Sequence, residues 1–345
     1  MLELREVFEM TTKQIEPNLD SWRKQEERQH RSARRRKMGA LAVAAVIAIA
    51  AAIGIAWSIG TGREGTPAER PAPPLASGKY PYMVTIGSSD TTELPRSLVS
   101  GHAFPVSPDG TRFAFGPCCD PGARVSVVDV DGSNPRVVTP RGLDAFGPSW
   151  SPDGSSLLYQ GRDAEGTAFG ELYVLDLARG EQTRITHLPG QNHGWWFMGP
   201  AFGPGGEAVV FHRPDPALGG GAEDERWDLW SVPATGGDPA LVLRNAGFAQ
   251  FSPADGTMAF LRPIRESNFA GGGLWLADPD AENPRRLVEG EGIWWPRWSP
   301  DGTRIAYARL GKIHVVDVAT DATMEVARGG VAEWFDDRTL VVTGG

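Results

Sequence analysis

The sequence predicts an all-β fold, a six-bladed β-propeller. A turn motif recurs at a near-constant interval, and each copy lies between apolar runs of strand length. The motif is clearest at Trp298-Ser299-Pro300-Asp301-Gly302, and it recurs at Trp150 to Gly154 and Val106 to Gly110. Looser copies stand at Phe202 to Gly206 and Phe251 to Gly256, with a degenerate one at Trp334 to Arg338. Proline presets φ for the first turn position, Asp bonds its own backbone, and Gly accepts the left-handed conformation. The motif prolines are 108, 152, 204, 253 and 300, at intervals of 44, 52, 49 and 47 residues. A period of that length, with four short strands per unit, is the signature of a propeller blade.

The remaining strands follow in order. Phe113 to Phe115, Leu157 to Tyr159, Val209 to Phe211, Met258 to Phe260 and Ile305 to Tyr307 leave the turns as second strands. Val125 to Val130, Leu172 to Leu177, Leu229 to Val232, Leu274 to Ala277 and Ile313 to Val318 are third strands. Being apolar almost throughout, they suit a sheet covered on both faces. Short outer strands, such as Arg136 to Thr139 and Arg285 to Val288, complete each unit. At the ends, Trp334 to Val342 supplies two strands, and Tyr82 to Ile86 with Leu94 to Val99 supplies the other two. Five whole blades and one split closing blade result, with the sheet edges hidden.

These repeats resemble the WD40-like repeats of TolB-type propellers, whose first strand ends in W-S-P-D-G and whose outer hairpin carries D-x-D-G-x-N-P. Asp129 to Pro135 matches the hairpin, and Asp278 to Pro284 matches it with Ala281 in the glycine place. The resemblance covers residues 80–345 and implies the fold; propellers host many unrelated activities. No α/β domain precedes the propeller in this sequence, so the role of TolB in envelope integrity is not carried over.

Four segments follow. Residues 1–38 form a charged, helical tail with ten Lys/Arg and seven Asp/Glu, a net of +3. The rest of the chain holds 24 basic and 36 acidic residues, a net of −12, which argues against nucleic acid as a ligand. The tail reads either as a solvated juxtamembrane segment or as a docking helix for a cytoplasmic partner through Leu4, Val7, Phe8 and Trp22. Residues 39–59 form an uncharged run of 21 residues. At 1.5 Å per residue such a helix spans a hydrocarbon core of about 30 Å. Arg34, Arg35, Arg36 and Lys37 flank its amino end. The positive-inside rule then places the N-terminus in the cytoplasm and the propeller outside the plasma membrane. Ala40, Ala44, Ala48, Ala52 and Ala56 make a small-residue stripe. It reads either as a homodimer seam or as the accident of an alanine-rich helix. Residues 60–79 are a Pro/Gly-rich linker, and 80–345 the propeller.

The expected binding face is the one opposite the S-P-D-G turns, where the longer loops lie. It offers His193, Trp195, Trp196, Arg262, Arg265, Trp294 and Trp295 as ligand-binding candidates. Paired aromatics beside charged groups suit a sugar or a peptide; the same tryptophans also suit padding between blades. No G-x-S-x-G, H-E-x-x-H or paired C-x-x-C occurs, so no nucleophile elbow, metal or cofactor is expected. Cys118 and Cys119 are adjacent, read either as a vicinal disulfide or as two thiols. The expected function is a membrane-anchored extracytoplasmic module that binds an envelope ligand or protein. The alternative is an envelope hydrolase or lyase acting at the channel mouth.

Overall fold

A computed structural model describes residues 81–87, 91–94, 104–116, 122–163, 169–187, 199–214, 227–263 and 272–343. The tail, the apolar run at 39–59, the linker, and Cys118 with Cys119 lie outside the described residues.

Six antiparallel sheets follow one another along the chain. Blade I holds β3 (Arg112–Phe115), β4 (Ser126–Asp129) and β5 (Arg136–Val137), with Val106 bridged to Phe113 in place of a first strand. Blade II holds β6 (Leu143–Trp150), β7 (Ser156–Asp163), β8 (Phe169–Asp176) and β9 (Gln182–Arg184). Blade III holds β10 (Ala201–Phe202), β11 (Ala208–Pro214), β12 (Trp227–Pro233) and β13 (Ala240–Leu243). Blade IV holds β14 (Gly247–Phe251), β15 (Met258–Pro263), β16 (Gly272–Ala277) and β17 (Arg285–Val288). Blade V holds β18 (Ile293–Trp298), β19 (Arg304–Arg309), β20 (Lys312–Asp317) and β21 (Thr323–Arg328). The closing blade VI joins β22 (Val331–Trp334) and β23 (Thr339–Thr343) to β1 (Tyr82–Thr85) and β2 (Thr91–Glu93), in the order β2-β1-β23-β22. The split blade is therefore present, with Tyr82 paired to Val342 and Val84 to Leu340. Its outer strand falls at Thr91–Glu93, ahead of the expected Leu94 to Val99, because the hairpin turns at the left-handed Gly87.

The core is divided among the blade interfaces. Six apolar clusters are present, one for each pair of neighbouring blades. Phe104, Phe113 and Val128 meet Val341 and so close blade I onto blade VI. Each sheet is thus apolar on both faces, which is why its strands lack the alternation of a half-solvated sheet. Leu158 and Phe211, both fully buried, meet between blades II and III. Burial of one such side chain contributes about 1.5–3 kcal/mol.

The turns form one face. In the turn of blade II, the Ser151 hydroxyl donates to Asp153 at 2.7 Å and accepts from the Ser156 N–H at 2.9 Å. Asp153 also accepts from the Ser155 N–H. The same bonds recur at Ser107/Asp109 and Ser299/Asp301. Burial pushes these three carboxyls up, but the hydroxyl and backbone donors outweigh it and leave each below the usual range. Successive turns touch: a Cβ on Gly154 would stand 3.5 Å from Pro108, and one on Gly206 the same distance from Pro152.

Tryptophans of the motif tie one blade to the one before. The Trp150 indole N–H donates to Pro105 O at 2.9 Å, Trp298 to Gln250 O at 3.3 Å, and Trp334 to Arg297 O at 2.9 Å. Each acceptor lies three residues before its own turn proline or the matching place, so the stitch repeats with the fold.

Candidate binding site

The inner strands β6, β14 and β18 each carry a break in register, between Phe146 and Ser149, Gly247 and Gln250, and Trp294 and Arg297. At each break, five residues before the turn proline, the backbone is left-handed. The residue there is Gly147 (φ 61°) in blade II, Phe248 (φ 55°) in blade IV and Trp295 (φ 53°) in blade V; Gly199 (φ 43°) holds the same place in blade III. Glycine takes this conformation without strain, whereas a bulky side chain is an outlier there. Such outliers persist only where the surroundings over-determine them, and they gather at functional sites.

What fixes Phe248 is visible. Its N–H donates to His212 Nδ1 at 3.2 Å, which assigns the imidazole proton to Nε2. His212 is 1% exposed. Its ring meets Trp227 edge-on at 4.7 Å and Phe248 at 4.4 Å. Phe248 in turn meets the edges of Trp294 at 5.6 Å and Trp295 at 5.0 Å. A Cβ on Gly199 would press on His212 at 3.0 Å and on Phe248 at 3.1 Å, so the stack needs glycine there. Blades III, IV and V thereby share one aromatic stack at the end of the strands remote from the S-P-D-G turns.

Trp294 and Trp295 lie in strand β18 and not in a loop, because Ile293–Trp298 pairs with β19 on both sides of the break that Trp295 and Pro296 occupy. Both are partly buried and pack on the clusters between blades IV and V and between V and VI. The two side chains thus pad two blade interfaces and remain partly exposed. Arg262 likewise belongs to strand β15, with its guanidinium over Phe260 at 5.3 Å and Trp275 at 5.1 Å. Burial lowers its pKa below the ordinary arginine value. His193, Trp195, Trp196 and Arg265 lie outside the described residues. His187 is exposed just after β9, while the Nδ1 of His212 is engaged by backbone. Among the described residues no group of three His, Cys, Asp or Glu is placed to hold a metal ion.

Sequence reading did not find Phe248 or the role of Gly199. The signal was available in the repeat itself: counting back five residues from each turn proline aligns Gly147, Gly199, Phe248 and Trp295.

No family model matches the sequence. An uncharacterized protein of Agrobacterium fabrum is 27% identical over 217 residues, 59% of this chain and 68% of that protein. The Tol-Pal system protein TolB of Methylococcus capsulatus is 34% identical over 86 residues, 24% of this chain; the chain spans only 20% of that relative's length. The crystal structure of TolB from Acinetobacter baumannii superposes with a TM-score of 0.52 at 17% identity, over 70% of this chain and 65% of that one. The chain is thus a six-bladed β-propeller whose repeats are similar to those of TolB-type propellers.

Proposed function

We propose that the protein is a binding module of the cell envelope, held to the membrane by residues 39–59 and presenting its propeller outside the cytoplasm. The observation that carries the binding reading is the aromatic stack of His212, Trp227, Phe248, Trp294 and Trp295, with two bulky residues held left-handed. Strain kept at one end of the inner strands, beside partly exposed tryptophans, fits a surface shaped for a ligand or partner protein. The basic cluster at Arg34 to Lys37 supports the orientation.

The test uses the full chain in detergent and envelope proteins as prey. Replacing Trp195 and Trp294 with alanine should abolish capture by the folded protein, while Asp153→Asn on the turn face leaves it unchanged. Equal capture by the tryptophan variant and the parent would overturn the assignment of this face. The orientation is tested separately: protease added to intact cells should digest the propeller and spare a tagged N-terminus, and a protected propeller would reverse it.

A further inference from the structure

Blade V passes from its second to its third strand through Leu310 and Gly311, with Arg309 paired to Lys312 across the turn. Both turn residues are left-handed, at φ 51° and 73°. A two-residue turn of this kind favours Asn or Gly, and a leucine there is an outlier. Leu310 is also 82% exposed, the most open of the large apolar side chains among the described residues. It lies against Gly292, where an added Cβ would stand 3.4 Å from Leu310 Cδ2. Backbone strain and apolar exposure thus fall on one residue, and an asparagine would spare the fold both.

Cations stand at the base of this tip. Arg309 and Lys312 bracket it, and Arg328 is paired across from Lys312. Of the acids in the adjoining segments, Glu289 is bonded by Arg286 at 3.1 Å and Glu325 by Lys312 at 2.6 Å. Glu291 is exposed, and its carbonyl accepts from Arg309 Nε at 3.1 Å, which braces the tip against the segment before β18.

The chain enters the propeller at the same end. Tyr82, the first residue of β1, pairs with Val342, whereas Thr85 pairs with Thr339 beside the turn of blade VI. The Tyr82 hydroxyl donates to the Arg328 carbonyl, and the Gly329 N–H donates to the Gly311 carbonyl at 3.0 Å. Through Arg328 and Gly329, the start of β1 is therefore linked to the leucine turn. Residues 60–81 join that start to the apolar run at 39–59.

We infer that Leu310 is a membrane contact. This end of blade V rests on the bilayer that holds residues 39–59, with the leucine among the acyl chains and Arg309, Lys312 and Arg328 at the headgroup phosphates. The inference rests on the membrane anchoring proposed above and adds which end of the propeller the bilayer meets. A small apolar insertion binds a lipid surface weakly, since binding scales with buried apolar area. A tether to the same membrane makes the contact intramolecular, so a weak contact suffices. A lipid surface also receives an exposed tip without a matching pocket, and the stems of the cations can lie along it while their heads stay in water.

The experiment uses the full chain reconstituted into vesicles of phosphatidylcholine and phosphatidylglycerol, with a spin label on part of the lipid headgroups. Cys118→Ser and Cys119→Ser leave one introduced cysteine to carry a fluorescent dye. It is placed at Glu291→Cys, beside the tip, or at Ala319→Cys, exposed at the turn end of the same blade. The lipid should quench the dye at 291 several-fold more than the dye at 319. Leu310→Asn should bring quenching at 291 down to the level at 319. Its melting temperature in detergent should stay equal or rise, because asparagine suits the turn. Leu310→Gly should act in the same way. Equal quenching at 291 and 319, or no change in both Leu310 variants, would refute the contact. Shielding of the dye at 291 by added envelope proteins, without quenching by lipid, would refute it in favour of a protein partner. The anchor is read separately, by flotation with the vesicles after an alkaline wash. A chain that floats with an unquenched dye at 291 loses the tip contact and keeps the anchor. A chain that does not float loses the anchor and this inference with it.

Discussion

Blades II, V and VI differ from blades III and IV in how they are fastened. The former begin their turns with Trp150, Trp298 and Trp334, whose indole N–H groups reach back to the preceding blade. The latter have Phe202 and Phe251, which carry no donor. Blade III also loses the Ser–Asp pair of its turn, where Gly203-Pro204-Gly205-Gly206 stands, and blade IV inserts Ala254. Blade IV further carries a left-handed Phe248 and a left-handed Ala281. The departures from the repeat in blades III and IV therefore lie beside the aromatic stack. Repetition secures the ring, and its lapses fall in the region that the proposed function assigns to binding.

That contrast can be broken most severely at the seam. The strands β1 and β2 complete the sheet begun by β22 and β23, and β1 adds Tyr82 and Val84 to the cluster between blades V and VI. Deleting residues 80–100 exposes an unpaired edge along β23 and uncovers Trp334 and Leu340. The truncated protein should aggregate or lose its cooperative thermal transition. An unaltered melting curve would mean that the ring does not need its closure.

The stitches come next in size. Trp298→Phe keeps most of the apolar volume and removes one indole donor, leaving the Gln250 carbonyl short of a partner. The cost should be about 1–3 kcal/mol, read from chemical denaturation. Phe202→Tyr, in a blade without a stitch, should show no comparable hydrogen-bond loss. A cost for Trp298→Phe below a few tenths of a kcal/mol would make the stitch ornamental.

Acid should act on the turn face before the stack. Asp109, Asp153 and Asp301 have pKa values held below 3.8 by hydroxyl and backbone donors that outweigh burial. A depressed folded pKa contributes stability that is present above the unfolded value and is lost as pH falls through the folded one. The melting temperature should therefore be flat above about pH 5 and drop below about pH 4. In Asp153→Asn the acid-dependent part of that drop should shrink. These carboxylates are partly solvated, so each contribution is small.

The fold was legible because its signal is local and repeated. Ser, Pro, Asp and Gly have backbone reasons to be where they are, and five copies at one spacing leave little choice of architecture. The split blade was legible for the same reason, since two strands lack partners at each end. The site was less legible. Arg262 and Trp294 read as loop residues because the sequence around them is polar or aromatic, yet backbone pairing carries β15 and β18 through both. The register breaks leave no mark in hydrophobic pattern, because the displaced residue is apolar like its neighbours.

The smallest expected effect tests whether the lapses of blade IV are tolerated or required. The outer hairpins of blades I and IV are built alike: Asn134 donates to Asp129 at 2.7 Å, and Asn283 donates to Asp278 at 2.7 Å. Both asparagines are left-handed, at φ 52° and 50°. The turn position before them is Gly132 at φ 83° in blade I and Ala281 at φ 67° in blade IV. A left-handed alanine carries a strain of about 1–2 kcal/mol. Glycine removes that strain but adds about 0.4–1 kcal/mol of freedom to the unfolded chain. Ala281→Gly should therefore stabilise the protein by about 0.5 kcal/mol, the difference of those two effects. The reciprocal change, Gly132→Ala, should destabilise it by a similar amount. Ala281 also packs against the cluster between blades III and IV, where its methyl adds a little burial. If Ala281→Gly instead destabilises by more than Gly132→Ala, packing decides at this turn, and alanine is held there by the blade interface in spite of its backbone.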